Sequence, residues 1–443
     1  VNPSPNPLQF PTRPGEVQIQ AVQPITLQQA LEFAERNNRD IQIARLQVER
    51  NRAAVREARS GNFPTLGLTS SLTRSGDAFI TPEAQQSPLE EAFGIQSQSG
   101  RTTTTSFTTG VELSYDLFTS GLRPAQIRAA ERQARSSELQ LEQSREAIRL
   151  QVSSDYYDLQ DADQQVLINE AAVRNSEANL RDARAQERAG LGTRFDVLRA
   201  EVNLANAQQV LTNARSTQNV RRRQLAQRLS VSESVNLAAA DPVIPAGGWS
   251  LPLEDSIVLA YRNRAELEDQ LVQREISEEQ IRQARAQNGP TLGVVASYNF
   301  QRQGRTNTDT TNTDQYTLAL QARLNLFDGG ATNARISQRQ RDKEIAEARF
   351  AQNRNQIRFD VEQAYSNLQA NRANIATTEG AVAQAEESLR LAILRFQAGV
   401  GTQTERINAE AELTRARGNR ISAIIGYNRS LAQLQRAVSN ISR

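Results

Sequence analysis

The 443-residue chain contains no His, no Cys and no Met. Imidazole and thiol nucleophiles, Cys/His metal sites and disulfides are thereby removed together. Chemistry is left to carboxylates, hydroxyls, Lys343 and the arginines, which disfavours most enzyme classes, and no cofactor is expected. Two short segments hold such groups at a meaningful spacing. In Gly190-Leu-Gly-Thr-Arg-Phe-Asp196 and Gly399-Val-Gly-Thr-Gln-Thr-Glu405 a Thr precedes an acid by three residues, the spacing of a capping box. Thr193 with Asp196 and Thr402 with Glu405 therefore read as helix openings, where the helix dipole also favours an acid. A pore is compatible with the same residues, because copies gathered around one axis would favour cations and resist neutral passage. The Gly-Leu-Gly-Thr element is no phosphate loop, since it follows a helix and lacks the Gly-Lys-Thr/Ser ending. Adjacent acids such as Glu386 and Glu387 read as a solvated helix face.

The elements that position these acids come in two copies. Gly190, expected in the left-handed conformation at a helix end, recurs 209 residues later as Gly399, and Gly192 recurs as Gly401. Each copy is the tip of a helical hairpin. The repeat extends through most of the chain: Leu117-Phe118 and Gly121 become Leu326-Phe327 and Gly330, and Leu225 becomes Leu434. Pro64-Thr-Leu-Gly67 becomes Pro290-Thr-Leu-Gly293 at the larger offset of 226, so the difference lies in the loop between the two strands of each half.

In order, residues 1–24 form a Pro-rich extension, expected extended or disordered. The first repeat covers 25–230: a helix from Thr26 to about Arg59, strands at about 62–73 and 106–118 around a polar loop at 74–105, a long helix 124–189, the tip 190–193, and a helix 193–229. Residues 231–252, rich in Pro and Gly, are an irregular connector. The second repeat covers 253–438, with strands at about 290–301 and 316–327, a long helix 331–398, the tip 399–402 and a helix 402–438, before a tail at 439–443. Val152, Leu159, Val166, Val173 and Leu180 repeat every seven residues along the first long helix, a coiled-coil seam.

At about 1.5 Å per residue that helix is roughly 100 Å long, and each shorter one roughly half of that. Two half rods beside one long rod place the connector near mid-height. The 38% apolar and 5% aromatic composition fits narrow seams better than large globular cores. Interleaved charges and a net charge of +2 argue against a nucleic-acid surface. No run of 18 apolar residues predicts a membrane helix, which leaves a membrane β-barrel open. The chain begins at Val1 without a leader and reads as a mature or trimmed form, so that feature carries no information about export.

The strands alternate. Leu113, Tyr115, Leu117, Leu318, Leu320 and Leu324 are expected to meet lipid, and Glu112, Ser114, Asp116, Gln321, Arg323 and Asn325 to line water. Four strands cannot close a membrane barrel, and open edges in lipid would leave backbone groups unsatisfied at several kcal/mol each. Several chains must share one barrel, and three chains, giving twelve strands and a passage, is the preferred count. The expected fold is mainly α with a small β part: duplicated coiled-coil hairpins forming an α-barrel, and four strands contributed to a twelve-stranded barrel in a homotrimer. A soluble sheet with one buried face, in a non-transport structural or adhesive coiled-coil protein, is the alternative. It leaves four alternating strands at matching places in two repeats unexplained. A carboxylate hydrolase would need an apolar pocket that thin rods hardly supply.

The duplicated order of elements, the Phe63-Pro-Thr-Leu-Gly67 strand opening and the Arg188-Ala-Gly-Leu-Gly-Thr-Arg-Phe-Asp-Val-Leu-Arg-Ala200 tip resemble the TolC family of outer-membrane efflux and secretion ducts, over nearly all of 25–440. The resemblance implies a homotrimer in the outer membrane of a Gram-negative-type bacterium, a periplasmic α-barrel with a mid-height belt, and docking to a periplasmic adaptor coupled to an inner-membrane transporter. It implies a pore constriction at Glu405. Family members carry a second acid one turn on, where this chain has Asn408, and an acid of the first tip at Asp196 tied by an Arg and a Tyr, where this chain has Gly401 and Phe396. That tie is expected to be absent or rebuilt through Arg194 or Arg406. Gly190, Leu191, Gly192 and Thr193, with Gly399, Val400, Gly401 and Thr402, are expected to meet the adaptor. The duct would be passive, its energy supplied by the pump.

Overall fold

A computed structural model describes residues 8, 10, 12, 13, 18, 22–76, 103–231, 235–305 and 310–439. Most of the Pro-rich extension, most of the loop expected at 74–105 and the last four residues of the tail lie outside the described residues. Two compact units emerge: Val1–Arg50, Arg135–Val272 and Ala346–Arg443 form one, and Asn51–Ala134 with Gln273–Ile345 the other.

The second unit carries the sheet. Strands β2 (Thr65–Gly76), β3 (Thr103–Phe118), β5 (Thr291–Arg305) and β6 (Thr311–Arg323) pair antiparallel in the order β2-β3-β5-β6. Residues directly opposite in such a ladder share a face. One rank is Leu66, Leu113, Ala296 and Leu318; the next is Leu68, Val111, Tyr298 and Tyr316. The other face runs Gly67, Glu112, Ser297 and Thr317, then Asp116, Gly293 and Gln321. The register thus sorts the alternation of each strand into one apolar and one largely polar surface. Among the described residues nothing covers the apolar one, and Leu68 and Leu318 are 73% and 77% exposed.

The strands run to 12–16 residues, where the expected ranges hold 12 or 13. The last one ends early, at Arg323 rather than 327, so Leu324 and Asn325 fall outside the paired register, as does Leu117 at a bulge between Asp116 and Phe118. The early stop has a local cause. Asp328 accepts from the backbone N–H of Gly330 and Thr332 and starts the next helix, so the chain must leave the sheet before it.

The first unit holds two equivalent cores. Helices α1 (Leu27–Asn37), α2 (Arg39–Ser60), α3 (Leu122–Arg188) and α4 (Arg194–Arg228) belong to the first repeat, and α5 (Leu253–Asn263), α6 (Ala265–Ala286), α7 (Ala331–Gln397) and α8 (Gln403–Val438) to the second. Ile41, Ile148, Val152, Leu159 and Leu225 pack in one core; their repeat counterparts Leu267, Ile357, Val361, Leu368 and Leu434 pack in the other. Val152, Leu159, Val166 and Leu180 of the seven-residue seam are buried. Val173 is half-buried, and beside it the buried Ser176 and Asn179 make the seam polar.

The helix expected without interruption from Thr26 to Arg59 is broken at Asn38, and its counterpart is broken at Arg264. Neither break needs Pro or Gly. Both residues are extended, with φ −62° and ψ 129° at Asn38 and φ −70° and ψ 111° at Arg264. The Asn38 side chain accepts from Asp40 and Ile41 and donates to the carbonyl of Arg228 at 2.8 Å. Arg264 reaches the carbonyl of Ala437 at 3.3 Å, the matching place at the end of α8. A neutral amide and a guanidinium therefore fill one structural role.

Strand β1 (Val22–Ile25) pairs parallel with β4 (Asn236–Ala239), which brings the connector against α3 near that helix's midpoint. Asp241 accepts from the backbone of Leu27 and from the Tyr156 hydroxyl, both at 2.7 Å. Asn428 of α8 holds the connector further on, donating to Ile244 and accepting from Ala246.

Candidate functional site at the hairpin tips

The two tips are built alike. Gly190 (φ +73°) and Gly399 (φ +72°) take the left-handed conformation that ends a helix. Leu191 and Gly192 donate to the carbonyl of Gln186, and Val400 and Gly401 to that of Arg395, so each chain end folds back on the last turn. Gly192 and Gly401 are needed for closeness: a Cβ on Gly401 would lie 3.0 Å from the backbone of Arg395 and Phe396, and one on Gly192 would lie 3.1 Å from the Gln186 Cβ. What this geometry leaves at each apex is one aliphatic side chain, Leu191 at 83% and Val400 at 70% exposure.

Both capping boxes form. Thr193 accepts from the Asp196 N–H while Asp196 accepts from the Thr193 N–H at 3.1 Å, and Thr402 exchanges the same pair with Glu405. Asp196 also accepts from the Thr193 hydroxyl at 2.6 Å, and Arg395 stands 4.0 Å from Glu405. Asp196 and Glu405 are thus each held within their own tip, and among the described residues no hydrogen bond or ion pair joins them. Glu405 and Asn408, three apart on α8, are both exposed and share a face with Glu412 and Arg415.

The two hairpins of the chain are tied instead by residues one to three turns from the apex. Arg406 of α8 bonds Asp182 of α3 at 2.8 Å and stands 5.7 Å from the ring centroid of Phe396, close enough for a cation–π contact. Arg199 of α4 donates to Thr404 at 2.6 Å, and Asn179 of α3 donates to the buried Glu410 at 2.5 Å. Of the two arginines considered for a rebuilt tie, Arg406 crosses between hairpins and Arg194 stays in its own, 3.9 Å from Glu187. Asp182, Arg199, Thr404 and Glu410 were not legible as tip residues, since nothing in their local sequence says which helix lies opposite. Burial decides Glu410's character: it raises the carboxyl above its ordinary value, against the pull of Asn179, Asn175 and Arg406. Among the described residues no three of His, Cys, Asp and Glu gather in a metal-sized group.

Duplicated helical hairpins, each joined to a pair of strands in a sheet with one apolar face uncovered, define a class of membrane-associated helical-hairpin proteins whose sheet cannot close alone. Comparison with known proteins makes the class specific. The family model described as "Outer membrane efflux protein" matches residues 28–230 and 257–440, and the chain belongs to that family. It is 24% identical over 319 residues to the outer membrane efflux protein BepC of Brucella suis biovar 1, covering 70% of this chain and 67% of BepC. With the outer membrane protein TolC of Escherichia coli K12 it shares 28% identity over 188 residues, 42% of this chain and 36% of TolC. The Campylobacter jejuni CmeC outer membrane channel superposes with a TM-score of 0.78 at 15% identity over 99% of this chain and 94% of CmeC, a likeness of fold. The TolC-family resemblance is thereby established, and the helical-hairpin and strand architecture with it.

Proposed function

We propose that this chain is one subunit of a homotrimeric outer-membrane channel, a passive duct of a tripartite efflux or type I secretion system. The observation that carries the reading is the sheet: four antiparallel strands, two edges with no partner among the described residues, and an apolar face left in the open. An unpaired edge strand of 12 or 13 residues in lipid would leave about half of its backbone groups unsatisfied, at several kcal/mol each. Pairing β2 of one copy with β6 of the next removes both edges, and three copies give twelve strands with room for a passage. The polar face, with Glu112, Asp116 and Gln321, then lines water.

In this reading Glu405, Asn408 and Asp196 surround the narrow end, where three copies of Glu405 select for cations. The apices at Gly190, Leu191, Gly192 and Thr193, and at Gly399, Val400, Gly401 and Thr402, meet a periplasmic adaptor that couples the duct to an inner-membrane transporter. Opening requires the α3–α8 tie at Arg406 and Asp182 to break.

Two measurements test this. The protein should need detergent for extraction and run as a heat-labile trimer; a stable detergent-free monomer would sink the proposal in favour of a coiled-coil scaffold. In planar bilayers, Glu405→Ala should raise conductance and weaken cation preference. If both stay at wild-type values, Glu405 is not at the constriction.

A further inference from the structure

The uncovered face of the sheet does not stay apolar to its end. Its first rank, nearest the helices in sequence, is Leu292 with Ala322, and the leucine and tyrosine ranks follow. Beyond Tyr298 and Tyr316 comes Phe300, then Leu72, Phe107 and Arg302 side by side, and last Arg74 beside Thr105. Two guanidinium groups therefore share a face with the leucines, at the end of the sheet bounded by Gly76, Thr103 and Arg305. Strands β2 and β5 flank β3, which sets the Cα atoms of Arg74 and Arg302 about 12 Å apart. Both arginines are exposed, and among the described residues neither has a hydrogen bond or an ion pair. The one acid that this face carries among the described residues, Asp314, takes the Tyr298 hydroxyl at 3.5 Å.

An arginine on the lipid side of a barrel is costly at the bilayer midplane and tolerated at its edge, so the pair marks a depth. Ten residues of β5 separate Leu292 from Arg302. They span about 34 Å of strand, or about 26 Å along the membrane normal at a tilt of about 40°. That matches the apolar band of an outer-membrane barrel, about 25 Å tall. Tyr298, Tyr316 and Phe107, just inside the boundary, occupy the level of its aromatic girdle. We infer that Arg74 and Arg302 together hold the phosphate of an anionic lipid headgroup in the leaflet at this end of the sheet, its acyl chains lying along Leu72, Phe107 and Leu68. The guanidinium fork matches phosphate oxygens through paired N–H bonds, and the Thr105 hydroxyl beside Arg74 offers a further donor. A zwitterionic headgroup brings an ammonium that both arginines repel, and a free phosphate lacks the chains that the apolar ranks would cover. The inference rests on the duct reading, in which this face meets lipid, and adds the headgroup class and the leaflet.

Native mass spectrometry of the full chain tests the site, from micelles of a neutral detergent mixed with phosphatidylglycerol and phosphatidylcholine of matched acyl chains. Wild type should retain phosphatidylglycerol over phosphatidylcholine by about tenfold or more. The double variant Arg74→Gln/Arg302→Gln should lose that preference. Arg323→Gln, on the polar face near the opposite end of β6, should keep it, and excess inorganic phosphate should leave the lipid in place. No preference in wild type, an undiminished preference in the double variant, loss on Arg323→Gln, or displacement by phosphate would each overturn the assignment, the last by revealing a bare anion site. Unheated gels of the same samples report on folding and on the duct reading separately. A trimer without the lipid preference refutes this site alone, whereas a stable detergent-free monomer refutes both.

Discussion

Removing the Arg406 guanidinium should loosen the tip. Arg406→Ala deletes the 2.8 Å pair with Asp182 and the contact with the Phe396 ring 5.7 Å away. The pair is unequally buried, Arg406 being 12% and Asp182 52% exposed, so solvent screens it and its contribution is about 0.5–1 kcal/mol. The cation–π contact stays within the second hairpin, because Phe396 ends α7, and it does not cross to α3. The pair alone therefore favours the closed tip, by about 0.5–1 kcal/mol per subunit. If the three subunits of the proposed trimer open together, the terms add to about 1.5–3 kcal/mol, or roughly tenfold to a hundredfold in the ratio of open to closed states. Single-channel recording in planar bilayers reads this as a rise in open probability. Asp182→Asn should give a comparable rise, because the stacking on Phe396 lies within the second hairpin, and the double variant should show less than the sum of the two. An open probability unchanged by Arg406→Ala, or a rise matched by Glu187→Gln within the first hairpin, would refute the claim that this tie holds the tip.

On the sheet, Leu320→Arg puts a charge on the uncovered apolar face and should cost up to about 2–4 kcal/mol, read as loss of the trimer band in unheated samples. Thr317→Arg, on the opposite face, should be tolerated; equal damage from both would refute the assignment of faces. At the joint beside Arg264, burial pushes the Glu266 carboxyl up, but Arg436 and Arg264 outweigh it and hold it below its ordinary 4.5. A depressed acid contributes stability above its unfolded value and loses it as pH falls through the folded one. Thermal melts should therefore show Glu266→Gln below wild type at neutral pH, with the gap closing as pH drops below 4.5. A gap that persists in acid would mean that the loss comes from packing and not from charge.

The repeat, the seam, the two-sided strands and both capping boxes could be read directly from residue order, because each is a pattern within one segment. Leu113 and Leu318 declare their face by alternation alone, and Thr193 and Asp196 declare their cap by spacing. The ends of elements and the bonds across helices could not. Asn38 breaks a helix with no local breaker because its amide is used by Arg228, 190 residues away. Strand β6 stops four residues short because Asp328 is already organising the next helix. Arg406 could be suspected at the tip, yet its acceptor proved to be Asp182 and not Asp196, whose carboxylate is occupied by its own cap. Glu410 looked like any acid on a polar helix until α3 was placed over it.

The repeats are equivalent in backbone but not in how they respond to charge. The joint of the first repeat is closed by an amide whose three hydrogen bonds carry no net charge. In the second, Arg264 bonds the carbonyl of Ala437, pairs with Glu266 at 3.0 Å and stands 3.7 Å from Asp360, while Arg436 pairs with Glu266 at 2.5 Å. Arg264 is 10% exposed at the side chain, so a lost partner would strand a nearly buried cation, a far larger penalty than breaking a surface pair. Salt and acid therefore act directly on the contacts that close the joint of the second repeat, whereas at the first they reach only the Arg228–Asp155 pair beside it. Since Glu405 and Arg406 open the helix that this charged joint anchors at its other end, the hairpin bearing the proposed constriction is also the one whose attachment is closed by charged groups.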